Sequence, residues 1–368
     1  MRYLLACGGT GGHINPAIAI ADELKKKDPE AQFLFVGNED GMEQKLVPRA
    51  GYPIRSIRAH GFARGGGAKN LLLNVKYAWR AIQSVRRARR ILREFRPDLA
   101  IGTGGYVSGP VMLAARELRI PYVIHEQNAY AGVATRACAR SAARVFLSFE
   151  HTIGVEPGEN VRVVGNPVRG GFLPQPAPGR AEEKPLVLSC GGSLGARAIN
   201  EAMCGLLALS HRDGRLRHLH AAGSSGYAPM MSRLKELGVP TDGTDGIEVR
   251  EFIYDMADRM READVVIARA GAITLAEIAA MGKPSILIPS PNVAENHQYH
   301  NACVFRDAGA ALLIEEKDLT GEGLYAALLE VACSSDRRAE MARAARRVAY
   351  PHAAQDIADE ILALLRGA

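Results

Sequence analysis

The sequence predicts an α/β protein built from two doubly wound, Rossmann-like parallel-sheet domains. Three observations carry that expectation. Short apolar runs alternate with helix-periodic segments along the whole chain, the alternation is interrupted once near the middle, and a glycine-rich strand-to-helix junction stands on each side of the interruption. The length of 368 residues agrees, because single cores stop growing near ~250–300 residues.

The apolar runs, rich in Val, Ile and Leu, fall at 3–6, 33–36, 98–101, 121–124 and 144–147, then at 186–189, 217–221, 247–250, 264–268 and 285–288. Continuous hydrophobicity over so few residues suits strands buried on both faces of a parallel sheet. Segments 16–27, 71–95, 197–209, 272–281 and 297–308 have helical periodicity, so βαβ units are expected in both halves. Residues 170–185, GGFLPQPAPGRAEEKP, carry Gly, Pro and charge without periodicity and read as a linker. The expected domains are therefore 1–165 and 185–345, with an amphipathic helix at 350–367 that can close either one.

Composition excludes several classes. With 47% hydrophobic and 23% charged residues the chain is an ordinary globular protein. No apolar run approaches the ~18–20 residues of a membrane-spanning helix, and MRYLLACGG is too short an apolar start for a signal peptide. Six scattered cysteines form no CxxC pair, so free thiols in a reducing compartment are expected. His218/His220 and His297/His300 are close pairs without an evident third ligand, and no metal site or cofactor is expected. The net charge of +6 is uneven: eleven Lys/Arg and one acid lie between Arg58 and Arg96, leaving the rest slightly negative. A local basic field implies a local anionic partner.

Three glycine junctions follow apolar strands: GGTGG at 8–12, GTGGYVSGP at 102–110 and GGSLGAR at 191–197. Glycine lets the backbone approach a ligand closely, and the helix that follows directs free N–H groups at it. Phosphate is the natural guest. None of the three fits GxGxxG cleanly, and no lysine follows to make a P-loop; three tight turns without a ligand are the alternative reading. HEQN at 125–128 ends a strand, where it either faces a ligand or supplies caps and turns. In RAGAITLAE (269–277), Glu277 shares a helix face with Thr274 and either bonds a ribose diol or complements the helix start. PNVAENHQYHNA (291–302) offers Asn296, His297 and Gln298 to sugar hydroxyls, or forms a polar loop.

Taken together, GGTGGHINPAIAIADEL, GTGGYVSGP, HEQNAYAGVATR, VGNPVR, GGSLGARAIN, EFIYDMA, RAGAITLAEIAAMGKPSILIPSP and HQYHNA closely resemble one family. It is the family-28-like N-acetylglucosaminyltransferases of peptidoglycan synthesis, and the likeness covers essentially the whole chain. The resemblance implies a GT-B fold, two Rossmann-like domains facing each other over a deep cleft. It implies a hexosyltransferase that moves GlcNAc from UDP-GlcNAc to the C4 hydroxyl of MurNAc in undecaprenyl-diphospho-MurNAc-pentapeptide, with inversion. The donor would be held mainly by the C-terminal domain and the acceptor by the N-terminal one. Roles in cell-wall biogenesis, cell shape and division, and partners among cell-wall synthesis proteins, are implied with it.

Residue by residue, the resemblance places Thr10, Gly11 and Gly12 in the first glycine loop, on donor or acceptor phosphates. Asn128 and Arg169 match donor-site residues, and Ser193 would meet the diphosphate. Ile253 would contact uracil through its backbone. Ala272, Ile273, Thr274, Leu275, Ala276 and Glu277 would hold the nucleotide, with Glu277 on the ribose diol, and Gln298 would read GlcNAc hydroxyls. His13 is the candidate base for the acceptor hydroxyl, or else a residue that positions acceptor phosphate. Two positions depart from the family pattern: Leu194 fills a slot often taken by Gln, and His297 replaces the first of a common Gln-Gln pair. Sugar transfer builds negative charge on the departing diphosphate, which helix-start amides can stabilise without a metal; the absence of a DxD-like motif fits.

Segment 71–95 carries a core-facing stripe at 71, 75, 78, 82, 85, 92 and 95, with Leu73 and Tyr77 roughly opposite and FARGGGAKN before it. Apolar residues beside Arg/Lys clusters predict that 62–96 rests on an anionic membrane surface, placing the protein peripherally on the cytoplasmic face; a solvated basic face is the plain alternative. No aromatic interleaving supports nucleic acid. Two other functions fit part of the pattern: a UDP-GlcNAc 2-epimerase on the same architecture, and a non-enzymatic basic membrane-binding protein.

Overall fold

The structure is a computed structural model that describes residues 1–59, 68–168, 170–173, 184–192 and 194–367. The chain forms two compact units, Met1–Val168 together with His352–Ala368, and Arg169–Pro351. Both are parallel-sheet α/β units of the kind the apolar runs predict.

In unit 1 the strands are β1 (Arg2–Ala6), β2 (Gln32–Asn38), β3 (Ile54–Ile57), β4 (Leu99–Gly102), β5 (Tyr122–Glu126), β6 (Arg144–Leu147) and β7 (Val161–Val163). They lie in the order β3-β2-β1-β4-β5-β6-β7, and every pairing is parallel. The helices are α1 (Gly11–Lys27), α2 (Glu43–Arg49), α3 (Ala68–Phe95), α4 (Ser108–Glu117) and α5 (Val133–Cys138). Alternate residues of β1 feed the two faces of the sheet, as the strand's period of two requires. Tyr3, Leu5 and Cys7 join Ile14, Ile20 and Leu24 of α1, while Leu4 and Ala6 join Ala88, Leu92, Val111 and Met112.

Unit 2 contains β8 (Leu186–Cys190), β9 (Arg217–Ala221), β10 (Ile247–Arg250), β11 (Val265–Ala268), β12 (Ser285–Leu287) and β13 (Ala311–Leu313). Their order is β10-β9-β8-β11-β12-β13, again parallel throughout. Its helices are α6 (Arg197–Asp213), α7 (Tyr227–Glu236), α8 (Met256–Glu262), α9 (Ala272–Ala280), α10 (His297–Asp307), α11 (Gly321–Ala332) and α12 (Ser335–Arg347). The final helix, α13 (Ala353–Arg366), belongs to unit 1, where Ile357, Ala358 and Ile361 are buried in the cluster that holds Tyr3 and Leu24.

Three local features differ from the sequence reading. Strands β3, β7 and β13 have no counterpart among the expected runs. All three are sheet edges, three or four residues long, and β3 and β7 interleave arginine, so their periodicity is weak. Helix α1 starts at Gly11, which puts Pro16 in its second turn rather than at its start. The buried face of α3 runs through Ser84, Ala88, Ile91 and Leu92, whereas Ile82 is 53% exposed. The Ser84 hydroxyl donates to the backbone carbonyls of Arg58 and Arg80, so a small polar residue fills a core position that a count of large apolar residues passes over. Positions 71, 75 and 78, with Leu73 and Tyr77, lie outside the described side chains.

Candidate functional site

In an open parallel sheet, ligands gather beyond the carboxyl ends of the strands where the strand order reverses. That point lies between β1 and β4 in unit 1, and between β8 and β11 in unit 2. The four junctions at 8–12, 102–105, 190–197 and 269–274 follow these four strands, two at each reversal.

In unit 2 the reversal holds a cavity of about 480 Å³. Its wall includes Gly191 and Gly192 after β8, Ala196–Ala198 at the start of α6, Gly271 and Thr274 at the start of α9, and Ser290, Asn292 and Gln298. Neither helix has an acidic residue in its first turn or a side-chain cap. The starts of both helices thus turn the positive ends of their dipoles toward the cavity, where an anion is favoured. The Gln298 carbonyl accepts from the Ser290 N–H at 2.9 Å, which fixes the side chain and leaves its amide N–H groups as donors. Arg269 donates to the carbonyls of Ile288 and Pro289, each at 3.1 Å, and pairs with Glu316 across the same wall. Neither Arg269 nor Glu316 stood out in the sequence; an arginine directly after a buried strand was the available signal.

Two glycines of the turns that shape this cavity cannot carry side chains. Gly195 has φ +82°, and a Cβ there would lie 2.1 Å from the Ala222 carbonyl oxygen; one on Gly223 would lie 2.1 Å from the Gly195 nitrogen. Beneath the turn, Ser189 Oγ and His220 Nδ1 are 2.8 Å apart, His220 Nε2 and Asn200 Oδ1 are 3.1 Å apart, and Asn200 Nδ2 donates to Ala222 at 2.8 Å. His218 instead meets Ser210 at 2.7 Å. The two histidines thus serve separate hydrogen-bond networks. Burial pushes His220 down to about 4 and His218 to about 3, so both are neutral.

The remaining unit 2 residues are placed as follows. Ala272, Leu275 and Glu277 are buried, with Leu275 turned wholly into the core, while Ile273, Thr274 and Ala276 are half-buried. Glu277 lies close enough to Cys190, on the cavity wall, to add to the burial that raises that thiol to about 11. Ile253 is 3% exposed, between Phe252 and Tyr254, in the loop from β10 to α8. Ser193 and Arg169 lie outside the described residues.

In unit 1 the two glycine loops pack on each other around His13. Its Nδ1 lies 3.1 Å from the Gly8 carbonyl and 3.3 Å from Thr10 Oγ1, and its own carbonyl accepts from Thr103 Oγ1 at 2.8 Å. Thr10 caps α1 by position and is exposed, and Gly11 and Gly12 open the helix half-buried. Below the loop lies Glu43, a fully buried carboxylate that no motif flagged.

HEQN divides into a buried part and one half-exposed residue. His125, Glu126 and Gln127 are at most 4% exposed. His125 Nε2 meets the Gly165 carbonyl at 3.0 Å, and burial lowers it to about 4. Glu126 accepts from the Asn128 and Gly132 amides and from Thr135 Oγ1. This is the capping and turn role for those three; Asn128 alone is left half-exposed at the carboxyl end of β5. Among the described residues, no three His, Cys, Asp or Glu side chains gather in a metal-binding group.

Comparison with known proteins agrees over both units. The model of the glycosyltransferase family 28 N-terminal domain matches residues 3–147, and that of the family 28 C-terminal domain matches residues 186–361. A protein of Desulforamulus reducens, named UDP-N-acetylglucosamine--N-acetylmuramyl-(pentapeptide) pyrophosphoryl-undecaprenol N-acetylglucosamine transferase, is 40% identical over 97% of both chains. The crystal structure of Acinetobacter baumannii MurG superposes with a TM-score of 0.80 and 29% identity, covering 98% of this chain and 99% of that one. A UDP-GlcNAc 2-epimerase from Neisseria meningitidis superposes with a TM-score of 0.66 at 12% identity, covering 99% of this chain and all of its own; that likeness is one of fold alone.

Proposed function

The chain belongs to the family of UDP-N-acetylglucosamine--N-acetylmuramyl-(pentapeptide) pyrophosphoryl-undecaprenol N-acetylglucosamine transferases, and on that premise we propose how its residues divide the reaction. It is a GT-B hexosyltransferase of peptidoglycan synthesis, and its substrates are UDP-GlcNAc and the lipid-linked MurNAc-pentapeptide. Family membership sets aside the epimerase and the non-enzymatic reading.

The cavity bracketed by the starts of α6 and α9 carries the donor assignment. The diphosphate of UDP-GlcNAc sits against the amides at 196–198 and 271–274, Gln298 donates to GlcNAc hydroxyls, and Glu277 accepts from the ribose diol. Asn128, Arg169, Ser193 and the Ile253 backbone complete the donor contacts. In unit 1, Thr10, Gly11 and Gly12 receive the acceptor pyrophosphate at the start of α1. His13 removes the proton from the MurNAc C4 hydroxyl as that oxygen attacks the anomeric carbon. The C1–O bond to phosphate breaks with its electrons on UDP, and the sugar inverts. Growing charge on the leaving diphosphate meets helix-start amides that need no reorganisation. The proton taken by His13 passes to solvent.

Measuring UDP release with both substrates, and with the donor alone, tests this reading. Release must require the acceptor; release of UDP from donor alone at the same rate would overturn it.

We also propose that the basic face of α3 attaches the protein to an anionic membrane from the cytoplasmic side. Arg58 and Arg87 pair with Glu39, Arg55 and Arg90 with Glu94, and Arg89 with Glu117. Arg86 and Arg93 are exposed and have no acidic partner among the described residues, and Ile82 is exposed on the same helix. Half of segment 62–96 lies outside the described side chains. No helix among the described residues is long and apolar enough to cross a membrane.

A further inference from the structure

Glu43 opens α2, yet its carboxylate bonds to nothing in that helix. It is 0% exposed, and its two oxygens accept from backbone amides of two other loops. Oε1 takes the N–H of Asn38, at the end of β2, at 2.7 Å, and Oε2 takes the N–H of Gly9, in the first glycine loop, at 3.3 Å. Three glycines make its room. A Cβ on Gly8, Gly37 or Gly41 would stand 2.6, 2.4 or 2.2 Å from a Glu43 atom. No Lys, Arg or His pairs with it among the described residues. Burying a carboxylate without a cation is expensive, and here it is held by two backbone amides, one at the end of β2 and one in the loop beside His13.

That arrangement has a chemical consequence. The Gly9 amide, with φ +88°, points down at the protein's own anion, so it cannot also point at a ligand's. An incoming pyrophosphate must use the amides that follow it, at the start of α1, and those are the ones next to His13. We propose that Glu43 is a positioning residue: it pulls the first glycine loop onto its carboxylate, which directs the acceptor pyrophosphate to Thr10–Gly12 and sets His13 beside it. The inference rests on the acceptor assignment made above for this loop.

Two substitutions probe it by independent routes. Glu43→Gln keeps the shape, but one amide oxygen can satisfy only one of the two N–H groups, and the NH2 opposes the other. Gly41→Ala keeps the charge and displaces the carboxyl group, since the three nearest atoms to its new Cβ all belong to that group. In the full-length protein, both variants should lower kcat/KM for the lipid-linked acceptor at least ten-fold. UDP affinity by calorimetry should stay within two-fold, because the donor cavity is in the other unit. Should Glu43→Gln fail to fold, Gly41→Ala decides alone. An acceptor kcat/KM within two-fold of the parent in the folded variants overturns the inference. A loss confined to UDP affinity, with acceptor KM unchanged, overturns instead the acceptor assignment on which it rests.

Discussion

His13 Nδ1 faces the carbonyl oxygen of Gly8 at 3.1 Å. A carbonyl only accepts, so Nδ1 carries the proton and Nε2 keeps the lone pair that a general base needs. The backbone of the glycine loop thereby selects the tautomer before any substrate arrives. His13→Asn should lower turnover by roughly 10²–10⁴-fold, the usual worth of a positioned base, without altering UDP affinity. Steady-state rates with saturating acceptor check this; a loss of less than three-fold would remove His13 from the chemistry.

Glu277 is 8% exposed on the first turns of α9. A carboxylate bonded to a sugar diol in such a place is worth ~1.5–3 kcal/mol. Glu277→Ala should therefore weaken UDP binding by roughly ten- to a hundred-fold, and calorimetry with UDP alone reads it directly. Unchanged affinity would leave Glu277 as a complement to the helix start and nothing more.

Three buried histidines make the fold acid-sensitive. Burial lowers His125 and His220 to about 4 and His218 to about 3, against ~6.5 when unfolded. The folded value is the depressed one, so these groups contribute full stability above about pH 6.5. As pH falls from there toward 4, each costs about 1.4 kcal/mol per pH unit. The thermal midpoint should hold between pH 7 and 8 and fall steeply between 6 and 4. His218→Asn, which removes one titrating group in unit 2, should flatten that fall; an unchanged slope would place the acid sensitivity elsewhere.

The ion pairs on α3 decide which arginines to reverse in a test of membrane attachment. Arg87, Arg89 and Arg90 are held by Glu39, Glu117 and Glu94, so reversing them breaks internal contacts as well as the surface field. Arg86→Glu with Arg93→Glu changes only the field. At ~1 kcal/mol per basic residue removed, co-sedimentation with anionic vesicles should drop at least ten-fold, with turnover on a water-soluble acceptor analogue preserved. Vesicle binding equal to the parent's would favour a solvated basic face.

Most interior strands were legible because they are short apolar runs buried on both faces. The edges β3 and β7 were not, because with one neighbour they tolerate Arg55 and Arg162 among few apolar residues. The glycine junctions were legible as strand-to-helix turns, and the structure adds that, with the turn after β11, they occur in pairs at each strand-order reversal. Glu43, Arg269 and Glu316 were passed over for a common reason. Each owes its place to groups distant in sequence, such as the Gly9 amide for Glu43 and the Ile288 carbonyl for Arg269. For HEQN the sequence left two readings open, and the structure gives the cap and turn role to three of the four residues, which are spent inside the protein.

The return of α13 to unit 1 bears on how the chain is made. Ile357, Ala358 and Ile361 complete the cluster around Tyr3, Ile20 and Leu24, but all of unit 2 is synthesised before they are. On the ribosome, unit 2 has everything it needs while unit 1 still exposes the apolar face that awaits α13. The unit whose strands emerge first is the one whose core closes later, and a chain broken off before residue 353 strands its opening half rather than its second.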